Sequence, residues 1–182
     1  MRLEWHEFNI KGKKTMAFVT IPEKGDRETL KKLYFDWKNL NDRLKVISTR
    51  GINLPETISE NAFCLFCKHC VRVVKLKNGK CSYDVLNVKT GSRMQIKASS
   101  IDDDLTSFGS RSEWDELFFL DFSKGDGSFR IYKIDADWIN KHKLNKTQTF
   151  ADQQAENRRP RFSITENIIK PRKLKPVAIC KL

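Results

Sequence analysis

The chain alternates between two hydrophobic rhythms, and the switches between them outline its elements. Leu3 to Ile10 and Thr15 to Ile21 alternate apolar and polar residues around Lys11-Gly12-Lys13-Lys14, a pattern that predicts a β-hairpin stopped by Pro22. The rhythm then changes to a helical one. Leu30, Leu33, Tyr34, Trp37, Leu40, Leu44 and Ile47 form one apolar stripe, predicting a core-facing helix capped by Asp26 and running to about Ile47. Ser48 to Glu56 reads as a loop with Gly51 and Pro55. Thr57-Ile58-Ser59-Glu60 fits a capping box and predicts a second helix to about Val74.

Downstream the rhythm returns to that of strands. Ser82 to Asn87 and Arg93 to Ala98 flank Lys89-Thr90-Gly91-Ser92 and read as a hairpin with Thr90-Gly91 at its tip. In that register Leu86 faces Gln95 and Asp84 faces Lys97, which puts Asp84, Gln95 and Lys97 on one face. Ser99 to Ser112 is a polar loop. Leu117 to Phe122 and Ser128 to Ile134 predict two strands about Lys124-Gly125-Asp126-Gly127. Short helices are expected over Ala136 to Lys143 and Gln148 to Asn157, and a last strand over Val177 to Lys181. Helices followed by strands around one central sheet define an α/β or α+β class.

A length of 182 residues predicts one domain, with a hairpin and helix part over 1–50 and a basic C-terminal segment over about 145–182. No apolar run reaches the roughly 18 residues of a membrane span, and no secretory h-region follows Met1. These features point to the cytosol and away from a membrane. Thirty-five Lys and Arg stand against 23 acids, a formal charge of +12. An excess of that size repels itself unless a polyanion shares the surface, so nucleic acid is the expected partner.

Two constellations carry chemistry. Cys64, Cys67 and Cys70, with His69 between and Cys81 beyond, could bind zinc in a non-enzymatic nucleic-acid-binding module. The alternative is a buried helix in which each thiol serves as a small hydrophobe. The second constellation is the Asp84 hairpin. Phosphodiester hydrolysis near neutral pH needs a divalent cation to neutralise phosphate and acidify a water. Asp84, the Gln95 amide oxygen and the Ile96 carbonyl are hard oxygen donors suited to magnesium. Lys97 could hold the attacking water or stabilise charge on the phosphate. Glu60 either completes its capping box or supplies a further acid. Asp84 and Lys97 could equally form a plain cross-strand ion pair.

The Asp84 and Gln95-Ile96-Lys97 hairpin, following a helix with Glu60, resembles the PD-(D/E)xK nuclease superfamily. Thr49 to Glu56, Asp104 to Gly109, Trp114 to Asp121 and Gln153 to Ser163 resemble more closely a group of small type II restriction endonucleases, the Bsp6I type that cuts GC-N-GC. The resemblance spans about Leu33 to Ser163. It implies a homodimeric, magnesium-dependent enzyme that cuts both strands of a short symmetric double-stranded DNA site. By position, Asp84 corresponds to the first metal-binding acid, Gln95 to the second and Lys97 to the catalytic lysine. Tyr83 stands where the superfamily has Pro. Gln95 replaces an acid, which lowers the expected affinity for metal before DNA arrives. Arg111, Ser107, Arg158, Arg159 and Arg161 are the candidate DNA contacts, since Arg can bond two acceptors on guanine in the major groove.

Overall fold

In a computed structural model, residues 1–48, 51–110 and 112–182 are described. Their centre is an eight-stranded mixed sheet in the order β1-β2-β3-β4-β5-β7-β8-β10. The strands are β1 (Arg2–Ile10), β2 (Lys13–Ile21), β3 (Cys70–Leu76), β4 (Val85–Asn87), β5 (Arg93–Ser99), β7 (Glu116–Asp121), β8 (Ser128–Ile134) and β10 (Ala178–Lys181). β5 and β7 run parallel, with Ile96 beside Phe118, and the other neighbours are antiparallel. Strands β6 (Thr106–Ser107) and β9 (Arg161–Phe162) form a separate two-stranded ribbon. The architecture is therefore mixed α+β, as the pattern of elements predicts.

Helices α1 (Asp26–Ile47) and α2 (Glu56–Phe66) cover one face of the sheet. Leu30, Tyr34 and Trp37 of α1 and Ile58, Ala62 and Phe63 of α2 pack on Val85, Met94, Ile96, Phe118 and Leu120. Helices α3 (Ala136–Asn140) and α4 (Phe150–Ala155) cover the other face together with a π-helical turn (Thr165–Ile169), which continues into α5 (Lys170–Arg172). Beneath them lie Leu117, Phe119, Tyr132 and Ile134. Covered on both sides, β7 reads Leu117-Phe118-Phe119-Leu120 with every residue buried and no alternation.

Several elements differ from the sequence expectation, each for a local reason. Asp26 is the first residue of α1, not its cap. The N-cap is Gly25, and the Asp26 carboxylate accepts from the Met1 amine and the Glu23 N–H. The apolar stripe of α1 divides. Leu30, Tyr34 and Trp37 enter the core with Asn41, whereas Leu33, Leu40 and Ile47 stay exposed. The loop after α1 fixes this rotation, because the Trp37 indole N–H donates to the Ile52 and Asn53 carbonyls and Asn41 Oδ1 accepts the Ile52 N–H at 2.8 Å.

Helix α2 ends at Phe66, not near Val74. Cys67 is its C-cap, His69 takes a left-handed φ of 63°, and Cys70 opens β3. Val71, Val73 and Val74 are β-branched and favour the pleated strand. The capping box is also absent: Pro55 is the N-cap with no side-chain hydrogen bond, and Glu60 bonds elsewhere. The register of the Asp84 hairpin is shifted by two residues. Asn87 Oδ1 accepts the Lys89 and Thr90 N–H groups, and the Asn87 N–H donates to Ser92, so the turn closes earlier, with Gly91 at φ 72° on its far side. Leu86 consequently faces Arg93, not Gln95. Asp84, one residue before the strand, donates its N–H to Met94, and its carboxylate, not its ladder position, brings it to Gln95 and Ile96.

Phe122 lies at the centre of the helix-covered core, stacked on Phe129 at 4.6 Å and on Tyr34 at 5.6 Å between ring centroids. Phe122→Ala leaves a cavity that these rigid neighbours cannot fill. It is expected to lower unfolding free energy by about 3–5 kcal/mol in urea titrations.

Candidate active site

The site forms where β4 begins. Asp84 is the last residue before that strand, and its backbone is held from both sides. Its N–H donates to Met94 and its carbonyl accepts from Val73. Its carboxylate turns into the sheet and takes a ladder position: Oδ2 accepts the Ile96 N–H at 2.8 Å and an N–H of the Gln95 amide. In a strand the N–H and C=O of one residue point to the same side. The Ile96 carbonyl therefore faces the same gap as Asp84. Gln95 is buried, and Lys97, two residues on, lies partly open at the mouth of the adjoining cleft. Its ammonium sits over the Phe108 ring, 5.5 Å from the centroid.

Glu60 reaches the gap from α2 on the opposite face of the sheet. It is buried and paired with the Arg72 guanidinium of β3. Burial and the neighbouring Asp84 charge raise its pKa to about 7, and they outweigh the opposing pull of Arg72. Burial also raises Asp84, against the lowering effects of Lys97 and of the Ile96 N–H. Two carboxylates raised by burial, with the Asp84 charge further disfavouring ionisation of Glu60, mark a place where positive charge is welcome. The oxygen atoms of Asp84, Glu60 and Ile96 suit a hard cation, and a half-turn of the Gln95 amide would add another. Among the described residues no three His, Cys, Asp or Glu side chains converge in a metal-holding group. A cation here would thus depend on the amide and carbonyl oxygens as well as on the two acids.

The cleft beside Lys97 has a volume of about 640 Å³. One wall is Asn41, Lys45, Asn53, Glu56 and Ser59, and the other is the β6–β9 ribbon with Ser107 and Arg161. These two residues are direct cross-strand partners. Ser107 Oγ is buried without a hydrogen-bond partner in the described structure. Phe108, Phe150 and Phe162 pack as a cluster of aromatic rings under the ribbon. Arg158 and Arg159 are exposed beyond it, Arg158 bonding the Gln148 amide oxygen at 3.1 Å. Arg111 lies outside the described residues.

The sequence reading missed Arg72 and Phe108. Arg72 is the one charge inside Cys70-Val71-Arg72-Val73-Val74. Read as a strand rather than a helix, that run would have singled it out. Phe108 carried no signal beyond its hydrophobicity. The cysteines do not converge as a zinc site: Cys64 sits in the core on α2, and Cys70 Sγ donates to the Lys68 carbonyl at the turn into β3. Among the described residues no helix is long and apolar enough to cross a membrane.

The family model for the Bsp6I restriction endonuclease matches residues 22–171. The type II restriction enzyme Bsp6I of Bacillus sp. (strain RFL6) is 40% identical over 168 residues, covering 91% of this chain and 92% of that protein. No solved structure matches significantly.

The raised pKa of Glu60 sets a pH dependence of folding. The folded state holds this proton up to about pH 7 and the unfolded chain only to about 4.5. Between those values the folded state binds more protons, so stability falls as pH rises. The span corresponds to at most ~3 kcal/mol. Glu60→Gln is expected to flatten that loss in metal-free urea titrations at pH 4.5, 6 and 8. An unchanged pH profile would show that Glu60 is not the titrating group.

Proposed function

The chain belongs to the Bsp6I restriction endonuclease family, and from that membership we propose that it is a type II site-specific deoxyribonuclease on a PD-(D/E)xK scaffold. Its substrate in this reading is a short, GC-rich, interrupted palindrome in double-stranded DNA. The enzyme acts in the cytoplasm as a magnesium-dependent homodimer whose two copies cut one strand each. The observation that carries the reading is the meeting of Asp84, Gln95, Ile96 and Lys97 with Glu60 at one gap in the sheet, open to a cleft in a chain of charge +12.

The division of labour follows from position. Asp84, the Ile96 carbonyl and the Gln95 amide oxygen would hold the cation, with Glu60 joining them directly or through water. Bound there, the cation neutralises phosphate charge and acidifies water. Asp84 is already oriented by the Ile96 N–H, so its second oxygen is fixed in place before any ligand arrives. Lys97 projects from the same face with its ammonium held over Phe108. From there it orients the attacking water and offsets charge that builds on the phosphate. Gln95 carries no charge, so the site would hold a cation weakly on its own.

Binding and reading fall to the far wall. The unpartnered Ser107 hydroxyl and Arg161 stand opposite each other on a two-stranded ribbon, a form that the major groove accommodates. Arg158 and Arg159 extend the basic surface, and Arg111 is a further candidate contact by its place in the sequence. Wall contacts to phosphate position the duplex, and contacts to base edges specify the sequence.

Incubation of the protein with plasmid DNA and magnesium is expected to give discrete fragments. A continuous smear, or no cleavage across plasmids of varied sequence, contradicts the reading. Lys97→Ala is expected to lower the cleavage rate at least 100-fold, the loss typical of one charge-stabilising group, while DNA affinity in calcium stays unchanged. Cleavage at the native rate removes Lys97 from the chemistry. Arg161→Ala is expected to cost about 1–3 kcal/mol of specific binding in gel-shift titrations and much less on random DNA. An equal loss on both substrates assigns Arg161 to phosphate instead.

A further inference from the structure

Helix α1 carries two apolar stripes and the fold consumes one of them. At 100° per residue Leu30, Tyr34, Trp37 and Asn41 share one narrow arc, and all four are buried. Leu33, Leu40, Leu44 and Ile47 share the neighbouring arc, about 60° wide. Leu33 is 49% exposed, Leu40 48% and Ile47 82%. Leu33, Leu40 and Ile47 recur every seventh residue, with Leu44 between the last two, along a helix of 22 residues. Scattered exposed leucines are ordinary, but a row at seven-residue spacing is the seam by which helices pair.

The charges beside the seam identify the occupant. Asp36 and Arg43 are exposed on its outer flank, seven residues apart. The ion pairs of α1 are Asp26 with the Met1 amine, Glu28–Lys31 and Lys38–Asp42, and neither Asp36 nor Arg43 has an ion-pair partner among the described residues. They bracket Leu40, Asp36 four positions before it and Arg43 three after. A two-fold axis at Leu40 would set two α1 helices antiparallel, with Leu40 against its own copy and Leu33 against Ile47. Asp36 of each chain would then stand beside Arg43 of the other, twice over. A two-fold interface must be complementary to itself, and this flank is.

We propose that the exposed α1 seam is the surface through which a second copy of this chain docks. The inference rests on the homodimer reading given above and specifies its interface. It also suits the placement of the chemistry. Asn41 and Lys45, on the side of α1 away from the seam, line the cleft that Lys97 enters. Pairing through the seam leaves one such cleft open on each side of the axis.

Sedimentation equilibrium of the full-length protein tests the interface. The native chain is expected to dimerise in the micromolar range or tighter. Asp36→Arg and Arg43→Asp each place like charges opposite one another and are expected to weaken the dimer at least tenfold. Combined in one chain they restore opposite charges, and the dimer is expected to return to within about threefold of native affinity. Leu40→Glu puts two carboxylates on the axis and is expected to weaken the dimer at least 100-fold. These side chains lie outside the core, so thermal melting of the monomer should not change. A native dimer that none of the substitutions weakens overturns the α1 interface and leaves the homodimer standing. A chain that stays monomeric at all concentrations, alone and on DNA, overturns both.

Discussion

A carboxylate taken out of water must find donors, and Asp84 finds one where the sheet lacks a strand. Because β4 starts at Val85, the Ile96 N–H has no ladder partner from that strand, and Asp84 Oδ2 accepts it in place of a carbonyl. This one exchange solves two problems. It satisfies a buried N–H, and it fixes a carboxylate in the plane of the sheet with its other oxygen turned to the gap. Glu60 then enters from the helix-covered face and Lys97 from the face packed against the ribbon. Two layers that never meet through the sheet meet around its interruption. Arg72 is the counterweight, partly neutralising Glu60 where burial alone would protonate it.

The outline of this arrangement was legible in the sequence. Alternation located β1, β2, β5 and β8, short apolar runs located β7 and β10, and helical periodicity located α1 with its limits. The neighbourhood of Asp84, Gln95 and Lys97 survived a two-residue error in register because the Asp84 carboxylate reaches into the sheet to Gln95 and Ile96. What escaped were features set by distant contacts. The stripe of α1 could be counted but not divided, since its rotation depends on Trp37 and Asn41 bonding a loop that periodicity cannot place. The strand after α2 was hidden by thiols and valines that fit a helix nearly as well as a strand, and only the left-handed turn at His69 separates the two readings. Glu60 had a competent local explanation as half of a capping box. The structure gives it Arg72 instead, twelve residues away and on another element. Local rules fail most readily at such a place, where a side chain is recruited to a site rather than to its own helix.

The two walls of the cleft also differ in their construction. The Asp84 and Lys97 side is built from neighbouring strands of one sheet and the buried helices above it. The Ser107 and Arg161 side is two residues paired with two, resting on an aromatic cluster and joined to β5 by a loop. Ring packing gives that small ribbon the rigidity that its few backbone hydrogen bonds cannot.

That difference has a consequence for how the site assembles and fails. Asp84 and Lys97 are joined by a short hairpin, so bringing them together requires closing only a small loop. Ser107 and Arg161 are separated by β7, β8, α3 and α4, and their meeting awaits the docking of all four. The cleft therefore has an early half and a late half. A fluctuation that peels the ribbon from its rings opens the late half first and leaves the hairpin closed, because local contacts outlast distant ones when stability is lost piecemeal. In this chain the order of assembly places Asp84 and Lys97 before the surface that faces them.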